Sequence, residues 1–353
     1  MIPRINCYNG FDSLEEVWLG DVWPAHFYDY LPHNIRKDFY KLTEITKQDL
    51  TAIEEKIKSF GVTVRRPYIE ESRPDLYKNK LGMLYKPPIT PRDYGIAIGN
   101  TLYFNFPEYE KQCWQYAIDE YQQDKNVSIR QPTVHICGNN IVRCGYDLYI
   151  DRIEKNHAQE RDKKYIEEFA KDYRLSIFSN GGHFDACLAT LRPGVILGNT
   201  YYDDYNKSFP NWDHIIVRDN PKYYDTVDKI NPSSPGNGKN WHWFIEDEPW
   251  NSDLTFNEHV FKHCKDWIGN YVETYFEVNL LVIDHNNIIW LGDNQNLARY
   301  LKFKHKINTH SVPFRTRSFW DGGLHCITLD IRRQGTKIDY FPDRKDKGYI
   351  QHE

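Results

Sequence analysis

Apolar positions along the chain follow two periods. Leu42, Ile45, Leu50, Ile53, Ile57 and Phe60 lie on one helical stripe, closed by Gly61, after which Val62-Thr63-Val64 reads as a strand. Tyr109, Cys113, Ala117 and Tyr121 predict a second helix. Ile166, Phe169, Ala170 and Tyr173 predict a third, followed by a strand at Leu175-Ser176-Ile177-Phe178, and a fourth contains Val260, Cys264, Trp267 and Ile268. Between the helices lie paired apolar runs with turn residues at their middle, the pattern of β-hairpins. Ile96-Ala97-Ile98 and Leu102-Tyr103-Phe104 flank Gly99-Asn100, and Ile141-Val142-Arg143 and Asp147-Leu148-Tyr149 flank Cys144-Gly145. Leu188 to Leu191 and Val195-Ile196-Leu197 flank Arg192-Pro193-Gly194, and Leu280 to Ile283 and Ile288-Ile289-Trp290 flank Asp284 to Asn287. Ile327 to Ile331 and Lys337-Ile338-Asp339 flank Gln334-Gly335.

A polar or thiol residue precedes each hairpin: Asp93, Asn139, Asp185, Asn279 and Cys326, at spacings of 46, 46, 94 and 47 residues. A period of this length predicts a repeat architecture such as a propeller or solenoid. In a closed propeller, equivalent strand ends converge on the axis, so Asp93, His183, Asp185 and Cys326 would share one pocket. The double-length interval contains Asn231-Pro232-Ser233-Ser234-Pro235-Gly236-Asn237-Gly238, a loop that reads either as a lid or as plain surface. The expected organisation is a single domain over residues 1–353 with a loop insertion around 203–255.

Composition narrows the classes. The chain has 353 residues, 40% hydrophobic and 27% charged, with a net charge of -5 and both signs interspersed. It holds no basic block suited to nucleic acid and no like-charge tail. Aromatic residues make up 15%, which suits a packed core and a buried site, or alternatively an aromatic binding surface. Seven Cys include no Cys-x-x-Cys pair, and Met1-Ile2-Pro3-Arg4-Ile5-Asn6 has no apolar signal core. With no apolar stretch long enough to span a bilayer, the expectation is a cytoplasmic protein with reduced thiols.

One thiol stands apart. Cys326 follows Gly322-Gly323-Leu324-His325 at the start of an expected strand, where paired glycines let the backbone approach a ligand. A nucleophilic Cys needs a cationic or hydrogen-bonding setting; a buried structural Cys is the other reading. His325 would point away from Cys326 in extended backbone. In His183-Phe184-Asp185, extended backbone would turn the His and the Asp to one side, giving a proton shuttle and a carboxylate able to grip a guanidinium, or simply a satisfied surface pair. No zinc, calcium, P-loop or Rossmann spacing is present, so neither metal nor cofactor is expected.

These segments together resemble the amidinotransferases of the guanidino-modifying superfamily, the group of glycine amidinotransferase and inosamine amidinotransferase. The similar segments are Tyr8-Asn9-Gly10-Phe11-Asp12-Ser13-Leu14-Glu15-Glu16-Val17, Thr90-Pro91-Arg92-Asp93, Asn140-Ile141-Val142-Arg143, His183-Phe184-Asp185-Ala186 with Pro193 to Asn199, Asn279-Leu280-Leu281-Val282-Ile283-Asp284, and Gly322 to Cys326 continuing through Thr328-Leu329-Asp330-Ile331-Arg332-Arg333. The resemblance implies a five-bladed, pseudo-symmetric α/β propeller (pentein-like) with its site on the axis. It implies that Cys326 attacks the guanidinium carbon of arginine, that Asp93 and Asp185 hold the guanidinium, and that His183 shuttles the proton. An amidino group on Cys326 would then pass to glycine or another amine, releasing ornithine. Hydrolysis of arginine or a related guanidino compound on the same scaffold is the alternative, and a non-catalytic propeller binding protein a third. The implied partners are small molecules, without nucleic acid or membrane, and a homodimer is plausible.

The sequence also departs from the family. Ile136-Cys137-Gly138-Asn139 stands where the family reads Phe-Asp-Ala-Ala, so Cys137 replaces the Asp that partners the His. Asn139 or another acid is left as the substitute. Thr200-Tyr201-Tyr202-Asp203 stands where a carboxylate-binding Arg can follow, with Arg143 or Arg192 as other anchors. Glu277 falls where the glycine-using enzyme has a small hydroxyl residue, which makes it a candidate substrate contact beside Asn139.

Overall fold

Leu14–Leu19 (β1) leads into His33–Lys58 (α1), which returns the chain to Thr63–Arg65 (β2), parallel to β1. The computed structural model describes residues 3–132, 136–151, 158–178, 183–199, 205–217, 243–268, 277–320, 322–344 and 350–351. The α1 stripe buries Phe39, Leu42, Ile45, Leu50, Ile53 and Ile57, and Gly61 ends the turn beyond it at φ +80°, a conformation open to glycine at little cost.

The same strand–helix–strand unit recurs with a hairpin partner in front. Gly95–Ile98 (β3) pairs antiparallel with Thr101–Phe104 (β4), and Glu108–Tyr121 (α2) carries the chain to a parallel Ser128–Arg130 (β5). Ile141–Cys144 (β6), Asp147–Asp151 (β7), Ala158–Phe169 (α3) and Arg174–Phe178 (β8) repeat the pattern. So do Leu188–Arg192 (β9), Val195–Asn199 (β10), Tyr205–Ser208 (α4) and Asp213–Val217 (β11). In the next unit Leu281–Asp284 (β12) pairs with Asn287–Trp290 (β13), and the helix Gln295–Tyr300 leads to Asn308–Ser311 (β14). A parallel return needs such a crossover. Five small sheets result, making a five-bladed α/β propeller.

The predicted fifth hairpin does not form. Thr328–Arg333 (β15) pairs antiparallel with β1, Val17 opposite Asp330 and Leu19 opposite Thr328, while residues 334–339 form no strand. The N-terminal segment takes up the hydrogen bonds: Asn6 N–H donates to Ile331 O (3.1 Å), Arg333 N–H to Asn6 O (2.7 Å) and Gln334 N–H to Ser13 O (2.8 Å). The last inner strand thus completes the first blade, and the pairing of Leu14–Leu19 with Thr328–Arg333 closes the ring.

The core lies between each sheet and its helix. Trp18 of β1 stacks on Trp114 of α2 at 4.3 Å between centroids and donates its indole N–H to Tyr121. Burying an aromatic or large aliphatic side chain contributes about 1.5–3 kcal/mol, so this join between blades is a strong one. Beyond β11, the helix Leu254–His263 is capped by Asp253, which accepts from Thr255 N–H at 2.8 Å. It packs Phe256 edge-on against Phe39 of α1. It ends before Trp267, so the predicted stripe continues through turns. The loop Asn231 to Gly238 and the segment Thr200 to Asp203 lie outside the described residues. Among the described residues no helix is long and apolar enough to cross a membrane.

Candidate active site

The residues preceding the inner strands sit in tight turns: Pro91–Asp93, Gly138–Asn140 and Phe184–Ala186 are single 3-10 turns, and residues 324–327 form another turn. Cys326 therefore lies in a turn before β15 and not at a strand start, and His183 is the residue before a turn, not part of an extended run. This geometry brings side chains together that extended backbone would separate. His325, expected to point away, has its ring Nδ1 2.7 Å from Asp185 Oδ2, while Cys326 Sγ lies 3.5 Å from the same oxygen.

Glycine makes the nucleophile's setting possible. A Cβ on Gly323 would come within 2.4 Å of Asn279 Oδ1. Without one, Asn279 reaches under the turn. Its Oδ1 accepts from the backbone N–H of His325 (2.7 Å) and Cys326 (3.3 Å), and its Nδ2 donates to Cys326 Sγ at 3.1 Å. Gly323 thus admits a side chain of the protein itself. Gly138 works the same way. A Cβ there would meet Gly95 O at 2.1 Å, and its absence seats Asn139 against the neighbouring turn. Asn139 Nδ2 donates to Asp93 Oδ1 at 2.9 Å and lies 3.3 Å from His183 Nδ1. Because Asp93 can only accept when ionised, it fixes which end of the amide faces His183. Asn139 is thus a side-chain partner of His183 Nδ1.

His183, Asp185 and Cys326 each place a donor atom within 4.8 Å of the others. A cation could take these three, but Asp185 Oδ2 already serves His325 and Cys326, and Asn279 already donates to the sulfur. The opposite oxygen, Asp185 Oδ1, and Asn139 Oδ1 are buried without a hydrogen-bond partner among the described residues. Buried acceptors left open in this way are costly, and they suit a ligand rich in N–H donors.

The electrostatics separate two roles. Burial alone would raise the Asp185 carboxyl, but the His325 hydrogen bond and the nearby His325, His183 and Arg92 hold it below the usual carboxylate range. Burial, then Arg92, pushes His325 down against the pull of Asp185, and its Nδ1 is the ring nitrogen that meets Asp185 Oδ2. Beneath them Asp330 takes Arg92 on Oδ1 (2.9 Å) and Arg143 (2.5 Å) and Arg333 (2.7 Å) on Oδ2. Arg143 is therefore committed to the core rather than open to a substrate carboxylate. Arg192 donates to His305 O at 3.0 Å, a brace between its own blade and the next.

The structure links Cys326, His183, Asp185, Asn139 and Asp93 into one chain of contacts. Glu277 is outside that chain: it lies against Gly292, near Asp293 and Arg317, and burial raises its pKa. Three neighbours escaped the sequence reading as site residues. Asn279 carried a signal, since it leads a hairpin as Asp93, Asn139 and Cys326 do. His325 was hidden by the assumption of extended backbone. Lys86, whose Nζ lies 3.6 Å from Asp93 Oδ2, carries no periodic or motif signal.

No family model matches the chain. The chain is 21% identical, over an alignment 394 positions long, to inosamine-phosphate amidinotransferase 1 of Streptomyces glaucescens, covering 95% of this chain and 99% of that protein. It is 23% identical to the mitochondrial glycine amidinotransferase of Xenopus laevis over 57% of this chain and 39% of that protein. Among solved structures it superposes on SxtG, an amidinotransferase of the saxitoxin biosynthetic pathway from Microseira wollei, with a TM-score of 0.66 at 19% identity, covering 96% of this chain and 100% of that one. The resemblance to amidinotransferases thus extends along nearly the whole chain, and the fold is theirs.

Proposed function

We propose that this chain, similar in sequence and fold to enzymes that transfer amidino groups, moves the amidino group of L-arginine through a covalent adduct on Cys326 to an amine acceptor, glycine or another primary amine, and releases ornithine. The observation that carries this reading is the Cys326–Asp185–His183 cluster, closed to 4.8 Å, with Asp185 Oδ1 buried and unpartnered. A carboxylate edge of this kind matches the paired N–H groups of a guanidinium, and Asp93 offers a second one.

Before substrate enters, the ionised Asp185 beside Sγ opposes a thiolate. An arriving guanidinium cancels that charge, the thiol proton passes to His183, within 4.8 Å of the sulfur, and the Asn279 N–H supports the sulfur anion. Sγ then bonds to the guanidinium carbon. Collapse breaks the bond from that carbon to the ornithine nitrogen, which takes a proton from His183. The amidino group remains on Cys326. An acceptor amine attacks the same carbon, gives its surplus proton to His183, and the C–S bond breaks to return the thiolate. Two carboxylates that fix the guanidinium plane lower the barrier by positioning, and no step calls on a cofactor. Asn139, its amide held by Asp93, keeps Nδ2 against His183 Nδ1 and so orients the ring.

Incubation with arginine, with and without glycine or other amines, tests the reading. Ornithine appearing only with an amine, together with an amidino mass increment on Cys326, is the expected result. Ammonia released without any amine would overturn transfer in favour of hydrolysis.

A further inference from the structure

Lys86 is 9% exposed, yet its ammonium has one contact among the described residues, the 3.6 Å approach to Asp93 Oδ2. That is an ion pair but longer than a hydrogen bond. An ammonium on a mostly buried side chain keeps its charge at low cost only when paired and hydrogen-bonded, and here its three N–H donors meet no hydrogen-bond acceptor among the described residues. The next acid does not help. Glu110 is buried, with Oε1 unpartnered, and burial raises its carboxyl well above the usual range despite Lys86. Glu110 makes no ion pair with Lys86, and Asp93 is the one acid paired with its ammonium among the described residues.

Asp93 is also a carboxylate assigned above to the guanidinium, on which the present inference rests. A guanidinium on Asp93 would leave two cations sharing one carboxylate, whose other oxygen already accepts from Asn139. The charges balance when the second substrate brings an anion within reach of Lys86. We infer that Lys86 is a specificity-determining residue that binds the carboxylate of the acceptor, making the acceptor a short amino acid with its amine and carboxylate one or two carbons apart. The arginine carboxylate is a poorer fit, because the side chain holds it at the far end of the substrate from the guanidinium that Asp93 grips. A short acceptor has the opposite geometry: its nitrogen attacks the amidino carbon while its carboxylate stays close to Asp93 and Lys86. The ammonium would also favour the neutral, attacking form of the acceptor amine over its cation.

The test compares substrates with and without the carboxylate. In the wild type, glycine should bind more tightly than glycinamide, and Lys86→Met should remove that preference, raising KM for glycine at least tenfold with kcat changed far less. Lys86→Arg should restore part of it. The ratio of arginine to agmatine binding should be the same in wild type and Lys86→Met; a change confined to that pair would move the anchor to the donor and overturn the assignment. Equal losses for glycine and glycinamide would also overturn it, leaving Lys86 as a counter-charge to Asp93 only. Equilibrium binding of the four compounds separates this inference from the reaction itself. A carboxylate preference that depends on Lys86, without any amidino adduct on Cys326, would keep the anchor and remove amidino transfer.

Discussion

Asp330 and Asp185 are both buried carboxylates, on inner-strand segments of the same propeller, and both are held ionised by their surroundings. Their hydrogen bonding differs. Asp330 is filled on both oxygens by three arginines from three segments: Arg92 before β3, Arg143 on β6 and Arg333 on its own strand. Asp185 is filled on one oxygen, by His325 and the Cys326 thiol, and bare on the other. A carboxylate with every acceptor site used binds the blades together and has nothing left to offer. One with an open buried edge carries a desolvation cost that a cationic ligand can relieve. The contrast teaches where to look for chemistry: not at the buried acid with the most partners, but at the one with a partner missing.

Substitutions should divide along the same line. The largest expected effect is at the open cluster. Cys326→Ala should bring turnover to background while leaving the unfolding midpoint close to wild type, and His183→Asn should cost about 10²–10⁴-fold in rate, the usual contribution of a positioned general acid–base. Steady-state ornithine release measures both. Near-normal rates in either variant would place the chemistry elsewhere. Asp330→Asn should do the reverse. Removing one partner of a buried ion pair costs about 3–5 kcal/mol, and this one leaves three guanidiniums without their shared anion, so denaturant titration should show a loss at least that large. A folded, active Asp330→Asn protein with wild-type stability would mean the three-arginine knot holds nothing together.

The sequence made the open cluster partly legible. Hairpin spacing is visible because strand periodicity is local, and it placed Asp93, Asn139, Asp185 and Cys326 at equivalent positions before any geometry was known. The closure of the ring was not visible. Thr328–Arg333 has the apolar alternation of a hairpin strand, and its actual partner, Leu14–Leu19, lies over 300 residues away, where no local pattern can point. The side-chain directions were lost for another reason. His325 and Cys326 diverge if the backbone is extended, and the single turn at 324–327 reverses that conclusion. The Gly322-Gly323 pair was expected to let the backbone approach a ligand; at Gly323 what approaches is Asn279, and only the tertiary contact could reveal it. Lys86 is the extreme case: what singles it out is a mostly buried side chain with its ammonium beside an acid seven residues on, a matter of burial and not of pattern.

A smaller effect should distinguish the two acids through the thiol. Asp185 places a negative charge beside Sγ and Asp330 does not, so Asp185→Asn should lower the pH at which Cys326 is alkylated by iodoacetamide by about 1–3 units, the usual influence of a close charge. Saturating arginine should do the same to the wild type by bringing a positive charge to the same edge. An alkylation profile unmoved by either change would show that Asp185 does not govern the nucleophile.

The smallest effect is in acid stability. For Asp330 burial works against ionisation, but Arg143, Arg92 and Arg333 hold the carboxyl well below its ordinary range; Asp185 is lowered in the same direction. A carboxyl depressed on folding contributes stability that is fully present above its unfolded pKa, about 3.9, and is lost as pH falls through the folded value. Both wild-type acids should therefore steepen the fall in stability below about pH 4. Asp330→Asn should flatten that slope most, because its carboxyl is held lowest, and Asp185→Asn should flatten it less, since His325 shares its charge only through one oxygen. The measurement is the change in unfolding free energy between neutral pH and acid for the two variants against the wild type. If Asp185→Asn flattened the slope as much as Asp330→Asn, the open edge of Asp185 would be as fully stabilised in the resting protein as the closed knot, and the distinction between a structural and a chemical carboxylate would fail here.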